Sequence, residues 1–450
     1  MTENSQQRTF QQLSDLQRSV VEVFALLYEP STHAKARQVW NLAIADESKG
    51  MSLLSREQFL PLVMALIDLE MLSQQWSKGV RCNPDLIEIV MRSAASTDRF
   101  ERIAQAIARL YPISERFAGG PLDFLSEAEF IRELRIAIYR QDRREVDGLF
   151  ADLRHANWHT TVTFSSVLQE ILTNPFDVQW FNRLSKDFFE LGLAIILEDS
   201  VKRCVPAAEA FEILEDAYKD HQLNVDLCLV YAEQLWLRGC LSEASGVLSG
   251  LSDTKSQTKS QQGKYEALRG AIAFLTGHTK DAIAHYTQSL KAVGKSKAAQ
   301  AAWFNNPAAV LFFFALLKDD SAIAQTTAEK HISLLQKQSA HWLKGSMPLL
   351  LKVVQMQQGK LGKVSGASSQ FKNYTLSDIG LPALLEIYSL YWLDVENFDQ
   401  WASAELPQLC QRILQAGYNW TASETAELLS LYQPDSFFAN ITNQVLPEAK

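Results

Sequence analysis

The feature that most restricts the fold of this chain is an internal repeat of two apolar helical patterns around a glycine. The two copies lie at Leu229–Leu251 (LVYAEQLWLRGCLSEASGVLSGL) and Leu268–Leu290 (LRGAIAFLTGHTKDAIAHYTQSL). In each copy a glycine precedes an alanine by five residues, and the two alanines, Ala244 and Ala282, are 38 residues apart. Apolar residues at helical spacing on both sides of a glycine predict a helical hairpin. Since a single hairpin cannot bury its apolar face alone, the repeat predicts a stack of hairpins.

Small and large residues at matching positions of the two copies carry a family resemblance. Ala232 and Gly270 lie twelve residues before the two alanines, and Leu248 and Tyr286 lie four residues after them. The pattern resembles the tetratricopeptide (TPR) family, in which small residues let two helices pack closely and a large residue fills the space between them. The period here is longer than the usual ~34 residues of that family. The resemblance implies a curved helical stack whose surface binds a protein segment.

Weaker copies of the pattern extend the repeat region. A third copy places Ala322 40 residues after Ala282, and further helical pairs follow it. Glu266 stands where the TPR family usually has a bulky apolar residue. We assign residues 221–365 to TPR-like repeats and residues 366–450 to C-terminal helical repeats.

Residues 1–95 have a different pattern, which predicts three amphipathic helices and then a β-hairpin with Gly79 in its turn. The stretch LVMALIDLEMLSQQWSKGVRCN resembles a winged-helix domain, a family in which the third helix enters the DNA major groove and the hairpin forms a wing. Pro61 lies inside the third helix and is expected to kink or shorten it. Acidic residues on this helix disfavour phosphate contacts, whereas Lys78 and Arg81 in the wing suit a duplex.

Between these two regions, paired glycines and a proline mark a boundary. The segment Ala118–Asp123 (AGGPLD) breaks any helix and predicts a hinge. We assign residues 96–125 to a connecting helix and this hinge, and residues 126–220 to helical hairpins. The predicted fold class is therefore all-α, a TPR-like α-solenoid with a small N-terminal winged-helix-like domain that contains one β-hairpin.

Motifs of common enzyme and cofactor sites are absent from the sequence. It contains no GxxxxGK[ST] phosphate-binding loop and no GxSxG, HExxH or EF-hand motif. His155 and His159 have the spacing of a metal-binding pair, but no carboxylate or thiol cluster completes such a site. We therefore predict no catalytic residue, no metal site and no cofactor, and hence a protein that is not an enzyme.

Cysteine usage and hydropathy indicate the compartment. The five cysteines include no CxxC pair and suit a reducing environment. The first fifteen residues lack the basic and then apolar layout of a signal peptide. The longest apolar run, Ala308–Leu317, is shorter than the ~20 residues that cross a bilayer and predicts a buried helix. We expect a cytoplasmic protein with no membrane contact.

Charge is distributed unevenly along the chain. The whole protein has a net charge of −9, but residues 255–372 contain sixteen basic residues against five acidic ones. Residues 373–450 contain two basic residues against ten acidic ones. A basic stretch in an acidic protein suits nucleic acid or an acidic partner, although a solvated lysine surface that only maintains solubility is the alternative. The residues predicted to bind are Lys255, Lys259, Lys264, Lys291, Lys295 and Lys297 in the repeats, with Lys78 and Arg81 in the wing.

These patterns together favour a non-enzymatic scaffold. A winged-helix-like module before helical repeats resembles the non-catalytic regions of bacterial signalling ATPases and of helicase or remodelling ATPases. The resemblance implies an accessory or regulatory region of a DNA-acting system, with a protein partner on the repeat surface and DNA or RNA on the basic stretch. A pure protein–protein adaptor or regulatory sensor without nucleic-acid binding is the alternative.

Overall fold

The computed structural model describes residues 3–44, 52–75, 79–114, 120, 122–154, 160–251, 258–319, 321–337, 343–360, 380–393, 408–409 and 411–418. Over these residues the chain is helical apart from one two-stranded antiparallel sheet, which confirms the predicted all-α fold with a small hairpin. The chain forms two compact units, Met1–Gly192 and Leu193–Lys450.

The first unit contains ten helices and both strands among its described residues. They are α1 (Glu3–Gln12), α2 (Asp15–Leu27), α3 (His33–Ala43), α4 (Arg56–Asp68), β1 (Leu72–Gln75), β2 (Gly79–Cys82), α5 (Ile87–Ala95), α6 (Arg99–Leu110), α7 (Glu127–Tyr139), α8 (Arg143–Leu153), α9 (Phe164–Thr173) and α10 (Val178–Phe181). Helix α2 is the centre of this unit, since every residue from Ser19 to Leu27 is buried. It packs against α3, α4, α5, α6, α7 and β2.

The hairpin is joined on its β2 side by an isolated β-bridge. The linker between α2 and α3 pairs with β2 through Ser31, whose amide donates to the Val80 carbonyl at 2.8 Å and whose carbonyl accepts from the Val80 amide at 2.9 Å. A Cβ on Gly79 would lie 2.5 Å from the Ser31 oxygen, and Gly79 has a φ of 111°. Only glycine therefore permits this close approach of the two backbones.

Helix α4 differs from its expected form. It continues for 13 residues with Pro61 inside it, so the proline does not shorten it. A capping box between Ser55 and Gln58 fixes its first turn. Its buried residues are Phe59, Val63 and Leu66, so most of its surface is accessible.

A buried ion pair joins α5 to α7 within the first unit. The guanidinium of Arg135 contacts the carboxylate of Glu88, both side chains are 1% exposed, and the Tyr139 hydroxyl donates to the same carboxylate at 2.6 Å. Residues on the two sides of the predicted hinge are therefore packed together in the described structure. Of the hinge itself, only Gly120, Leu122 and Asp123 are described. The five-part division of the chain stays a prediction.

Helix α11 (Lys186–Arg203) crosses the division between the units, and the second unit continues with ten further described helices. They are α12 (Ala208–Lys219), α13 (Val225–Leu237), α14 (Leu241–Leu251), α15 (Lys259–Leu275), α16 (Thr279–Val293), α17 (Lys297–Trp303), α18 (Pro307–Lys318), α19 (Ala322–Gln336), α20 (Met347–Gln357) and α21 (Gly380–Trp392). The predicted repeats correspond to the hairpins α13–α14 and α15–α16.

The two hairpins turn in the same way. Gly239 and Gly277 both have a φ of 85°. The Gly239 amide donates to the Trp236 carbonyl at 3.0 Å, and 38 residues later the Gly277 amide donates to the Phe274 carbonyl at the same distance. A left-handed glycine that closes the last helical turn leaves the chain free to reverse. The predicted match between the two copies is therefore confirmed in the backbone.

Side-chain packing in α15–α16 follows the predicted pattern of small and large residues. Ala282 is fully buried, and a Cβ on Gly270 would lie 2.9 Å from the fully buried ring of Tyr286. Glu266, which departs from the family pattern, is buried and lies 2.7 Å from Nδ1 of His285. A polar pair between the two helices therefore takes the place of an apolar contact.

The third copy has a different register from the one that the sequence suggests. Ala322 is exposed at the first position of α19, whereas Ala324 and Ala328 are buried. The short helix α17 is inserted between α16 and α18, and this insertion displaces the next hairpin along the sequence. Alignment by the alanine alone was therefore wrong by two residues at this copy.

C-terminal residues cover two central helices of the second unit. Every residue of α18 from Pro307 to Leu317 is buried, and α21 packs against both α18 and α20. Residues 411–418, which we call the closing segment, lie against α11 and α13, where the Tyr418 and Ser200 hydroxyls are 2.6 Å apart.

In the described parts of the chain, no single helix is long and apolar enough to cross a membrane. Helices α17 and α18 reach that length only together, across a bend of 93°.

Candidate functional site

Antiparallel packing brings two groups of predicted lysines to one end of the α15–α16 hairpin. Gly263, one turn after the start of α15, is packed against Val293 at the end of α16, and Ser289 donates a hydrogen bond to the Gly263 carbonyl. Lys259 therefore lies at the same end as Lys291. A capping box between Thr258 and Gln261 holds the first turn of α15.

The connection to the next hairpin stays at this end. Gly294 ends α16, and α17 begins two residues after Lys295, at Lys297. Trp303, at the end of α17, donates its indole N–H to the Ser289 hydroxyl at 2.7 Å and so holds this connection against α16. Lys295 and Lys297 are both exposed.

The following helices add two lysines that the sequence prediction did not include. Helix α18 is parallel to α15, since Lys318 lies over the Phe274 ring, 5.0 Å from its centroid, and both residues are at the helices' C-terminal ends. Helix α20 is parallel to α18, since Gln357 near its end donates to the Leu317 carbonyl at 3.1 Å. The C-terminus of α19 and the N-terminus of α20 therefore lie at the same end as the start of α18. Exposed Lys337 and Lys344 occupy these positions.

We call this set of lysines the basic edge. It consists of Lys259, Lys291, Lys295, Lys297, Lys337 and Lys344, all of which are exposed. The described residues that form this end, 258–265, 289–307, 333–337 and 343–350, contain no aspartate or glutamate. Carboxylates reach this end only from other helices of the unit: Glu386 on α21 lies 3.3 Å from the Ser346 hydroxyl, and Glu198 on α11 lies 4.0 Å from the Lys264 ammonium, among the described residues.

At the opposite end of the same helices, lysines and carboxylates are mixed. Lys280 is followed by Asp281 and Lys318 by Asp319. Lys360 forms an ion pair with Glu329 at 3.2 Å. Charge separation between the two ends is therefore a property of the stack, and it is not visible in the composition of any one helix.

Of the repeat lysines that the sequence predicted to bind and that the structure describes, Lys264 does not belong to the basic edge. Its side chain is 30% exposed and its ammonium lies 4.0 Å from the Glu198 carboxylate on α11. Burial raises the pKa of the Glu233 carboxyl, and the positive charge of Lys264 opposes that shift. Lys264 thus balances acidic groups within the unit.

The remaining predicted residues lie elsewhere. Lys255 and Lys78 are outside the described residues. Arg81 lies on β2 in the first unit and is half-buried. With the Gln75 amide oriented to satisfy both groups, its oxygen accepts from Nε and Nη2 of Arg81 at 2.9 and 3.3 Å. The Arg81 side chain is therefore held along the hairpin.

The arrangement suits non-covalent binding of an anion. A lysine ammonium is a compact point charge with three donors, and a row of lysines matches repeated negative charges without reading their identity.

Among the described residues, no group of three or more His, Cys, Asp or Glu side chains could hold a metal ion, and His155 and His159 lie outside those residues. Comparison of the chain with family models, with curated proteins and with solved structures gives no significant match.

Proposed function

We propose that the protein is a non-enzymatic scaffold whose second unit binds the phosphate backbone of a nucleic acid along the basic edge. The observation that carries this proposal is the alignment of six exposed lysines at one end of the stack, on described stretches of sequence that contain no aspartate or glutamate of their own. Release of counterions from the polyanion would drive such binding and make it strongly dependent on salt.

The stack is proposed to be a divergent TPR-like solenoid. The shared glycine turn, the buried Ala282 and the contact between Gly270 and Tyr286 support this assignment. A protein partner is expected to bind such a surface. In this unit, however, the chain's own C-terminal residues already cover α13 and α18. We therefore place a partner of this unit on its remaining accessible surface, or in competition with α21 and the closing segment.

The first unit is proposed to contain a winged-helix-like module. Its order of α2, the Ser31 β-bridge, α3, α4 and the β1–β2 hairpin corresponds to the order of elements in that fold. In winged-helix proteins that read DNA, the helix equivalent to α4 faces the bases. Here the middle of that helix exposes Pro61, Met64 and Ala65, which offer no hydrogen bond to a base edge. Its exposed base-reading side chains, Arg56 and Gln58, lie in the first turn, where Gln58 is engaged in the capping box and Glu57 adds a negative charge. The module is therefore proposed to contact protein, and the basic edge to supply the affinity for nucleic acid.

A salt titration of binding tests the basic edge. Fluorescence anisotropy with a labelled 20-base-pair duplex and a single strand of the same length would compare the parent with a Lys259→Gln, Lys291→Gln, Lys297→Gln variant. We expect binding to weaken by about tenfold or more at low salt, and the slope of log K against log[salt] to fall by roughly 2–3, since three phosphate contacts are lost.

The matched control carries the same loss of charge at the opposite end. Its substitutions are Lys280→Gln, Lys318→Gln and Lys360→Gln, and it should bind like the parent within about twofold. Equal weakening by both triple variants would mean that total charge alone governs binding and would contradict a localised edge. No binding by the parent at low salt would exclude nucleic acid and favour the adaptor function.

A further inference from the structure

A cavity of about 300 Å³ opens between α3 and α4 in the first unit. His33 and Arg37 line it from α3, and Arg56 lines it from the start of α4. Phe59 and Leu60 form its apolar wall. The cavity thus combines positive charge at its rim with an apolar interior, and its volume is at the lower limit of the ~300–1,000 Å³ of small-ligand sites.

The charged residues of the cavity are positioned for an anion. Arg37 is held in place, since its Nη1 donates to the Leu54 carbonyl at 3.0 Å. No carboxylate lines the cavity, and among the described residues no ion pair engages Arg37 or Arg56. Glu57 lies nearby on the exposed side of α4. Hydrogen bonds to its own backbone and to Ser55 lower the pKa of its carboxyl, and the two arginines lower it further.

Apolar residues extend the cavity along α4. Met64 lies one helical turn after Leu60 and is 44% exposed, and Leu53, just before the helix, is 65% exposed. The described residues contain six exposed large hydrophobic side chains, and four of them lie on α3, α4 or their flanks: Leu42, Leu53, Met64 and Leu69. A concentration of such residues on one pair of helices and their flanks indicates a contact surface.

We propose that this surface binds an amphipathic helical segment of a partner protein, with one of its carboxylate side chains in the cavity. The carboxylate would lie between Arg37 and Arg56, where guanidinium groups can donate charge-assisted hydrogen bonds. Apolar side chains of the segment, spaced by one helical turn, would pack on Leu60 and Met64. A phosphate backbone fits less well, because it would cover Met64 and Leu53 with a solvated anion and gain no apolar contact. The proposal does not depend on the basic edge, which lies in the other unit.

Labelled peptides and two single variants test the proposal. The probes are four peptides with capped termini and leucines at positions i, i+4 and i+7. Two of them have a pair of glutamates, one at its N-terminal end and the other at its C-terminal end. The other two have lysines in place of those glutamates. Arg56 is exposed at the first position of α4, so Arg56→Glu leaves the fold intact. Arg109, exposed on α6, supplies the matched control Arg109→Glu.

We expect Arg56→Glu to bind the better glutamate peptide about tenfold more weakly than the parent, and the corresponding lysine peptide more tightly than the parent does. Met64→Gln should weaken binding of both peptides, and Arg109→Glu should change neither affinity. Equal affinities of the parent and Arg56→Glu for the glutamate peptide would overturn the proposal. Failure of the parent to bind either glutamate peptide, together with weaker duplex binding by Arg56→Glu, would assign the surface to nucleic acid instead.

Discussion

A buried histidine makes the second unit sensitive to acid. His331 on α19 lies between Phe304 and Phe312, with ring centroids 5.2 and 5.8 Å away, and its Nδ1 is buried with no hydrogen-bond partner among the described residues. Burial, together with the positive charge of Lys330, lowers the pKa of His331 from 6.5 to about 4. Protonation of this ring would place an unpaired charge in an aromatic cluster, so folding favours the neutral form.

The sign and size of the effect follow from linkage. Because the pKa is lower in the folded state, the unfolded chain takes up the proton first, and stability is lost as the pH falls from about 6.5 towards 4. With these two pKa values, the contribution of His331 to the free energy of unfolding falls by roughly 2–3 kcal/mol between pH 7.5 and pH 4.5. Above pH 7.5 the contribution should be constant.

Urea unfolding of the parent and a His331→Leu variant at the two pH values measures this contribution. At each pH, the free energy of unfolding of the variant is subtracted from that of the parent. Comparing this difference at the two pH values removes the contributions of all titrating groups that the two proteins share. Hydrogen exchange of the backbone amides in α18 and α19 measures the same loss of stability for these two helices alone. If the parent and His331→Leu lose the same stability between pH 7.5 and pH 4.5, then His331 is not buried as a neutral group and the reasoning is refuted.

Three further predictions concern packing. Ala282→Leu and Ala244→Leu should each lower the free energy of unfolding by ~1–3 kcal/mol, because neither hairpin has room for a larger side chain; parent-like melting of both would contradict their alignment. Arg135→Met should cost the first unit ~3–5 kcal/mol in urea unfolding, since Glu88 stays buried without its partner, and adding Glu88→Gln should recover part of the loss; strictly additive losses would rule out the pair. Protease cleavage at residues 119–120 should leave two fragments that co-elute in gel filtration, and a separate folded fragment would instead favour two independent bodies.

The elements that the sequence predicted well are those fixed by local chemistry. A glycine at the hairpin turn and an alanine at the close contact each admit few substitutes, so Gly277 and Ala282 could be recognised from spacing alone. The hairpin around Gly79 was predicted correctly for the same reason, and its strands begin and end within the predicted stretch. Repeat stacking also predicted that successive lysine loops would lie at one end, as Lys259 and Lys291 do.

What the sequence could not predict depends on contacts between distant residues. The register of the third hairpin changed because α17 was inserted, and nothing local distinguishes Ala322 from Ala324. Lys264 has the same local surroundings as the edge lysines, but a helix more than sixty residues earlier supplies Glu198 as its partner. The cavity beside α4 requires α3 and α4 together, so Arg37 and Arg56 carry no shared signal in the chain.

The closing segment has a consequence for the order in which this protein is made. In most repeat proteins each hairpin touches its neighbours only, so the stack can form as it emerges from the ribosome. Here the hydroxyls of Ser200 and Tyr418 meet across 218 residues of sequence. At a synthesis rate of ~5–20 residues per second, Ser200 is made about 10–40 s before its partner. During that interval the Ser200 hydroxyl on α11 must remain in contact with water, and this part of the second unit closes only when the closing segment arrives.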